Sequence, residues 1–176
     1  MDGFSPEPQW QGKATAKVAG PTADQAWSLL GRGGSSGGAD PPLLLGDFCS
    51  LNKWFTSLSA CHILEGSNNV PGCIRYCAGS INKANPTESV GWAKERLVEY
   101  DKVNRYYTYE IIESNKGFGR YKATLTVQPD PVGCLIEWSF QSDPVKGWSE
   151  KAFHSFFESM TRGVAKRLEE EIIGAH

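Results

Sequence analysis

Two charged residues stand inside runs of sequence that otherwise have the alternating pattern of β-strands. Arg75 lies within residues 72–79 and Glu95 within residues 91–98. Because side chains alternate between the two faces of a strand, each charge shares a face with small or apolar residues. Such a charge is costly to bury unless it is paired or lines a wet pocket. An acid and a base that face one cavity can move a proton, so this pair is the first candidate for chemistry.

Alternation alone does not decide which face of the first strand points inward. Arg75 shares a face with Cys73 and Cys77, but the opposite face, with Ile74 and Tyr76, is at least as apolar. The alternative is therefore a solvated arginine on an edge strand. In the second strand, Lys94 and Arg96 flank Glu95 and place their charges on the opposite face. This favours an inward carboxylate for Glu95.

Composition bounds the class of protein. The 176 residues suffice for one domain with a sizeable core, and 40% are hydrophobic, 22% charged and 11% aromatic. A formal net charge of -2 provides no basic excess for nucleic acid. The N-terminus is polar and no run of about 18 apolar residues occurs. We therefore predict a cytoplasmic protein that has a small-molecule partner and neither nucleic acid nor membrane as a partner.

The cysteines favour buried, reduced thiols. Their number is odd, no Cys-x-x-Cys occurs and histidine is scarce, which argues against a zinc site and against a disulfide framework. No cysteine has an activating base nearby in the sequence, so thiol catalysis is disfavoured. Neither a metal nor a cofactor is expected. The cysteines are Cys49, Cys61, Cys73, Cys77 and Cys134.

The elements that must position the charged pair follow from periodicity. Residues 1–8 are predicted to be a loose tail and 9–174 one domain, with a flexible Gly-rich insertion at about 31–46. A strand at 10–18 precedes a helix capped by Thr22 and Gln25 and a short helix at 47–55. Six turn-linked strands follow, and residues 150–173 have the three-and-four spacing of a long amphipathic helix. This α+β order predicts a curved antiparallel sheet of about seven strands, with the helix over a hydrophobic pocket.

This order resembles the helix-grip fold of the START-like superfamily, which includes the birch pollen allergen family and the plant abscisic acid receptors. Several segments resemble the plant lachrymatory factor synthase family more closely. They are QAWSLL at 25–30, GCIRY at 72–76, WAKERLV at 92–98, YKAT at 121–124 and EWSFQ at 137–141. The chain departs from that family in the Gly-rich insertion and in a longer loop at 83–86.

The resemblance implies a cofactor-independent isomerase that converts an alkenyl sulfenic acid, released by alliinase, into a thial S-oxide. It places the essential arginine on Arg75, the essential glutamate on Glu95 and a pocket hydroxyl on Tyr121, with further pocket tyrosines at Tyr107 and Tyr109. On this hypothesis Arg75 clamps an oxyanion and Glu95 takes and returns a proton, while Tyr121 donates a hydrogen bond or relays the proton. Functional coupling to alliinase is then expected.

Each candidate also has a structural interpretation. Tyr121 fits a core aromatic with a satisfied hydroxyl, and Tyr107 and Tyr109 fit ordinary sheet packing as well as a pocket wall. Trp138 and Phe140 fit core or substrate-contacting wall positions better than chemistry. For the whole chain, the alternatives are a non-catalytic carrier or receptor of a small hydrophobic ligand, and an enzyme of plant specialised metabolism with another substrate.

Overall fold

The computed structural model describes residues 9–27, 45–54, 58–79 and 90–174. The predicted tail at 1–8, most of the predicted Gly-rich insertion and the loop at 83–86 lie outside the described residues. No helix within the described ranges is long and apolar enough to cross a membrane.

One antiparallel sheet carries most of the described chain. Its seven strands have the order β1-β7-β6-β5-β4-β3-β2, so β1 and β2 form its edges. Within the described residues, two helices, α1 and α2, and a 3-10 helix accompany the sheet, and this confirms the predicted α+β helix-grip architecture. In chain order the elements are β1 Trp10–Ala19, α1 Ala23–Trp27, the 3-10 helix Phe48–Lys53, β2 Leu58–Glu65, β3 Ile74–Gly79, β4 Trp92–Asp101, β5 Tyr106–Ser114, β6 Lys122–Asp130, β7 Gly133–Ser142 and α2 Glu150–Gly174.

Side-chain caps begin the two short helices where the sequence predicts them. The Thr22 backbone N–H donates to Oε1 of Gln25 at 2.9 Å, and the Gln25 N–H donates to Oγ1 of Thr22 at 3.1 Å. These reciprocal bonds form a capping box. Asp47 accepts a bond from the Cys49 N–H at 3.2 Å and caps the second helix. That helix is a 3-10 helix, and its backbone departs from helical angles at Ser50, where φ is -110° and ψ is 24°.

β3 begins later than the alternating pattern predicts. Residues 67–69 have the composition of a hairpin turn, and alternation predicts a strand from Val70 to Ile81, but the strand begins at Ile74. Asn69 and Gly72 have φ values of 65° and 96°, in the left-handed region that strands exclude. The turn therefore extends to residue 73, and Arg75 is the second residue of the strand.

The core lies between the sheet and α2. Alternate residues of β6 and β7 are buried, as the period of two requires. From α2, Phe157 stacks on Phe140 with ring centroids 4.2 Å apart, and Phe153 packs against Trp10 of β1 at 5.4 Å. Burying each such side chain stabilises the fold by roughly 1.5–3 kcal/mol. These contacts fix one end of α2 on β1 and β7 and leave space between the helix and β3 to β5.

Candidate functional site

Arg75 and Glu95 are direct cross-strand neighbours on the inward face of the sheet. The register of β3 and β4 sets them opposite each other, and Nε of Arg75 donates to Oε1 of Glu95 at 2.9 Å. Both are buried, with exposed fractions of 0% for Arg75 and 7% for Glu95. The inward face of β3 is therefore the one that carries Arg75, which answers the question that alternation leaves open.

Phe48 of the 3-10 helix holds the far side of the guanidinium. Nη1 of Arg75 donates to the Phe48 carbonyl oxygen. The guanidinium carbon lies 3.9 Å from the Phe48 ring centroid and 4.8 Å from that of Tyr109, within the range of cation–π attraction. Arg75 is thus fixed by the carboxylate, a backbone carbonyl and two aromatic faces.

The surroundings of Arg75 keep it charged. Burial alone lowers the pKa of a guanidinium, but the negative charge of Glu95 and the nearby Cys77 and Tyr107 groups outweigh that effect. The pKa of Arg75 therefore lies well above its ordinary value. The Glu95 carboxylate therefore lies at hydrogen-bond distance from the permanently charged guanidinium of Arg75.

A cavity of about 320 Å³ opens beside Glu95. Its volume lies at the lower end of the range for small-molecule sites. Among the described lining residues, the charged side chains are those of Glu95 and Lys116, and Lys116 is exposed. Glu95 therefore places a buried carboxylate on a mainly apolar wall. The apolar part of the wall includes Leu51, Leu58, Ile111, Phe118, Phe153, Phe156, Phe157 and Met160.

Trp138, Tyr109 and Tyr121 form a hydrogen-bonded chain along the same wall. Nε1 of Trp138 donates to Oη of Tyr109 at 3.3 Å, and the hydroxyl oxygens of Tyr109 and Tyr121 lie 3.1 Å apart. All three side chains line the cavity. Because the Tyr109 oxygen already accepts a hydrogen bond from Trp138, the Tyr109 hydroxyl can donate its own proton to the Tyr121 oxygen. In that arrangement the Tyr121 hydroxyl proton is available to a ligand.

Burial makes the tyrosines of this region weak acids. It raises the pKa of Tyr107 to about 12, although the charge of Arg75 acts in the opposite direction. Burial also raises the pKa values of Tyr109 and Tyr121 well above the ordinary value. At neutral pH these hydroxyls are therefore protonated, and they can donate hydrogen bonds but cannot act as bases.

The predicted site residues divide into two groups. Glu95, Tyr109, Tyr121 and Trp138 line the cavity, whereas Arg75 is buried behind Glu95 and is not among the described lining residues. This placement favours a role for Arg75 in holding the carboxylate over direct contact with a ligand.

Tyr107 and Phe140, which the sequence suggests as substrate-binding residues, are also outside the described lining. Tyr107 packs edge-on against Phe48, with ring centroids 5.5 Å apart. Phe140 is covered by Phe157 of α2. Both are buried in the core against these rings.

Several lining residues have no role in the sequence-based hypothesis. Cys77 shares the face of Arg75, and Phe156 and Met160 belong to the apolar stripe of α2. Their positions were visible in the period of each element, but the period does not distinguish a core contact from a cavity wall. Phe156 is 44% exposed, because it lies where the cavity meets the surface.

The family of the chain is consistent with this geometry. A family model described as polyketide cyclase / dehydrase and lipid transport matches residues 43–172, which is well over half of the chain. The chain therefore belongs to that family, whose fold binds hydrophobic ligands. The family model does not single out the lachrymatory factor synthases that the sequence segments resemble.

Solved structures of bacterial proteins share the fold. The chain is similar to the protein XoxI from Bacillus cereus, with a TM-score of 0.65 and 22% identity over 94% of this chain and 96% of that one. An uncharacterised protein from Bacillus thuringiensis has a TM-score of 0.63 and 21% identity, over 90% of this chain and 98% of that one. A protein from Thermobifida fusca has a TM-score of 0.64 and 22% identity, over 92% of this chain and 94% of that one. At these identities the similarity shows the fold alone.

Proposed function

We propose that this protein is a cofactor-independent isomerase that moves a proton within a small, partly apolar substrate, with Glu95 as the general acid and base. The single observation that carries the proposal is a buried carboxylate on the wall of a mainly apolar cavity. A carboxylate in such a place can take a proton from one substrate atom and return it to another, and the surrounding apolar wall limits competition from water.

Arg75 is assigned a positioning role in this proposal. Its Nε bond engages one oxygen of Glu95, and the Phe48 carbonyl and ring prevent the guanidinium from turning away. An immobilised carboxylate keeps its position through both proton transfers, which reduces the reorganisation that each transfer requires. Arg75 would then act through Glu95 and not on the substrate.

Tyr121 is the proposed hydrogen-bond donor to the substrate. The chain from Trp138 through Tyr109 orients its hydroxyl, and its high pKa keeps the proton in place. A donor fixed before the substrate binds stabilises the negative charge that develops as Glu95 removes a proton. Glu95 and Tyr121 thus provide the two functions that a proton shift on a weakly acidic substrate requires.

The specific reaction proposed is the conversion of an alkenyl sulfenic acid into a thial S-oxide. The proton leaves the sulfenic oxygen and ends on the distal alkenyl carbon, while the double bond moves to sulfur. The resemblance of the segments around Arg75, Glu95 and Tyr121 to lachrymatory factor synthases supports this reaction, and the small volume of the cavity suits a short substrate.

A coupled assay tests the reaction. The protein is mixed with alliinase and an S-alkenyl cysteine sulfoxide, and thial S-oxide is measured by gas chromatography. We expect product above the protein-free control, and we expect Glu95→Gln to lower kcat by about 100-fold or more, since general acid–base catalysis contributes that much. Glu99→Gln, an exposed position on the same strand, is the matched control and should retain the wild-type rate.

The two levels of the proposal fail separately. Absence of product with wild-type protein rejects the sulfenic acid reaction. Product formed by Glu95→Gln at the wild-type rate rejects Glu95 as the acid and base, whatever the substrate is.

A ligand carrier is the second candidate, and the pairing of Glu95 with Arg75 favours it. A carboxylate that is already neutralised by a fixed partner can form part of a binding wall without doing chemistry. A carrier would return an apolar ligand unchanged and would bind it equally well after Glu95→Gln. Recovery of a chemically altered ligand would exclude it.

A further inference from the structure

Four of the cysteines approach each other in two pairs around Arg75. The Sγ atoms of Cys61 and Cys77 lie 3.1 Å apart, and those of Cys49 and Cys73 lie 3.8 Å apart. All are free thiols in this structure. The sequence offers no sign of either pair, because the partners are separated along the chain and meet only through the register of β2 and β3 and the position of the 3-10 helix.

The Cys61–Cys77 pair has the geometry that a disulfide needs. The two residues are direct partners in the antiparallel ladder of β2 and β3. Directly opposed residues have Cα atoms about 4.5–5.5 Å apart, within the range of about 4.4–6.8 Å that disulfides span. The pairing of the strands and the 3.1 Å between the Sγ atoms thus bring the two sulfurs within reach of each other.

The two sulfurs differ in access and in acidity. Cys61 is half-buried on the edge strand β2, whereas Cys77 is buried and lines the cavity. The two sulfurs share a hydrogen bond in which either can be the donor, and this contact, aided by the charge of Arg75, lowers the pKa of Cys61 despite burial. The pKa of Cys77 is raised, first by that same bond. Because Cys61 is the more accessible of the two and its pKa is lowered, we expect Cys61 to react with an oxidant first.

We propose that Cys61 and Cys77 are a peroxide-reactive dithiol, in which hydrogen peroxide or a small hydroperoxide oxidises Cys61 first and Cys77 then closes the disulfide. This inference is independent of the proposed isomerase, because neither sulfur takes part in the proton transfer.

The chemistry balances with peroxide as the only oxidant. The Cys61 thiolate attacks one peroxide oxygen, so an S–O bond forms, the O–O bond breaks and the departing hydroxide takes a proton to give water. Cys77 then attacks the resulting sulfenic acid, so the S–S bond forms, the S–O bond breaks and a second water leaves. The two thiols lose two electrons and two protons, and the peroxide is reduced to two waters.

The disulfide would change the wall of the cavity. Cys77 lines the cavity, so oxidation replaces a thiol hydrogen there by a fixed link to the edge strand. The bond also ties β2 to β3 next to Arg75. The cavity wall at Cys77 is therefore a thiol in the reduced protein and a disulfide in the oxidised protein.

Residue-resolved oxidation kinetics test the proposal on the intact, reduced protein. The protein is treated with hydrogen peroxide, remaining thiols are alkylated at intervals, and peptides are mapped by mass spectrometry. We expect a Cys61–Cys77 linkage with loss of two hydrogen atoms, formed more than about tenfold faster than Cys134 reacts, because the pKa of Cys134 is raised by burial. Oxidation of Cys134 at an equal rate, or a Cys49–Cys73 linkage formed first, would overturn the proposal.

Variants separate the two steps. Cys77→Ser should stop at a Cys61 sulfenic acid that a cyclic 1,3-diketone traps, whereas Cys61→Ser should lose the fast reaction and Cys134→Ser should keep it. Absence of a trapped adduct in Cys77→Ser, or fast oxidation in Cys61→Ser, contradicts the assigned order. The wild-type kinetics decide the order of reactivity even where a variant folds poorly.

Discussion

Arg75 and Glu95 form an ion pair whose two partners have different surroundings. The guanidinium is fully buried against Phe48, whereas the carboxylate lies on the wall of the cavity. The pair thus links the packed core, which holds Arg75, to the cavity wall, which holds Glu95. Loss of either partner leaves the other without its buried counter-ion and should affect stability, and loss of the carboxylate should affect function as well.

Arg75→Met should destabilise the protein strongly. The substitution removes the partner of a buried carboxylate, and breaking a buried pair from one side costs about 3–5 kcal/mol. Urea unfolding measures the change. Arg96→Met, in the exposed pair with Glu110, is the matched control and should cost less than about 1 kcal/mol.

The double variant Arg75→Met/Glu95→Leu should recover most of the stability that Arg75→Met loses, because it leaves no charge buried alone. Equal costs for Arg75→Met and Arg96→Met would show that the buried pair does not contribute to the fold.

Gly12→Ala should destabilise the contact between β1 and α2. A Cβ atom at residue 12 would overlap the ring of His154 and lie 2.7 Å from that of Phe140. Overpacking of this kind costs roughly 1–3 kcal/mol. Thermal unfolding of Gly12→Ala with and without His154→Ala checks the cause, since removing the imidazole should relieve much of the cost. Gly163→Ala on α2 meets open space and should be neutral or stabilising.

Stability should fall at high pH partly because of Tyr107. Its pKa is about 12 in the folded protein and about 10 when unfolded. The unfolded chain therefore binds fewer protons between those values, so the contribution is complete below pH 10 and is lost as the pH rises toward 12. Urea unfolding should show the stability of wild type falling by roughly 2–3 kcal/mol relative to Tyr107→Phe across this window. If the stabilities of wild type and Tyr107→Phe fall in parallel across this pH range, Tyr107 is not the cause of the loss.

Much of the fold follows from local patterns in the sequence. The capping box at Thr22 and Gln25, the cap at Asp47 and the changes of period from two to about 3.6 all act between near neighbours, and the structure has each of them. The end of the turn before β3 is harder to foresee, because the alternating pattern does not reveal that Gly72 adopts a positive φ. This is why β3 begins later than predicted.

The site depends on register, which local patterns do not specify. Tyr107 and Tyr109 share a strand face, yet of the two only Tyr109 is among the described lining residues of the cavity. The approach of Cys61 to Cys77 likewise depends on how β2 pairs with β3. Alternation identified Arg75 and Glu95 as unusual, but only the pairing of β3 with β4 makes them partners.

Met160→Trp should close the cavity without disturbing the ion pair. Met160 lines the cavity from α2 and is half-buried, so a larger ring at this position would occupy space that a ligand needs. We expect the affinity for an apolar fluorescent probe, anilinonaphthalene sulfonate, to fall by about tenfold or more, equivalent to about 1.4 kcal/mol. Lys166→Trp, an exposed position on the same helix, is the control and should bind the probe as wild type does. If both variants bind alike, the probe occupies a surface site, and the cavity is not where this protein holds an apolar ligand.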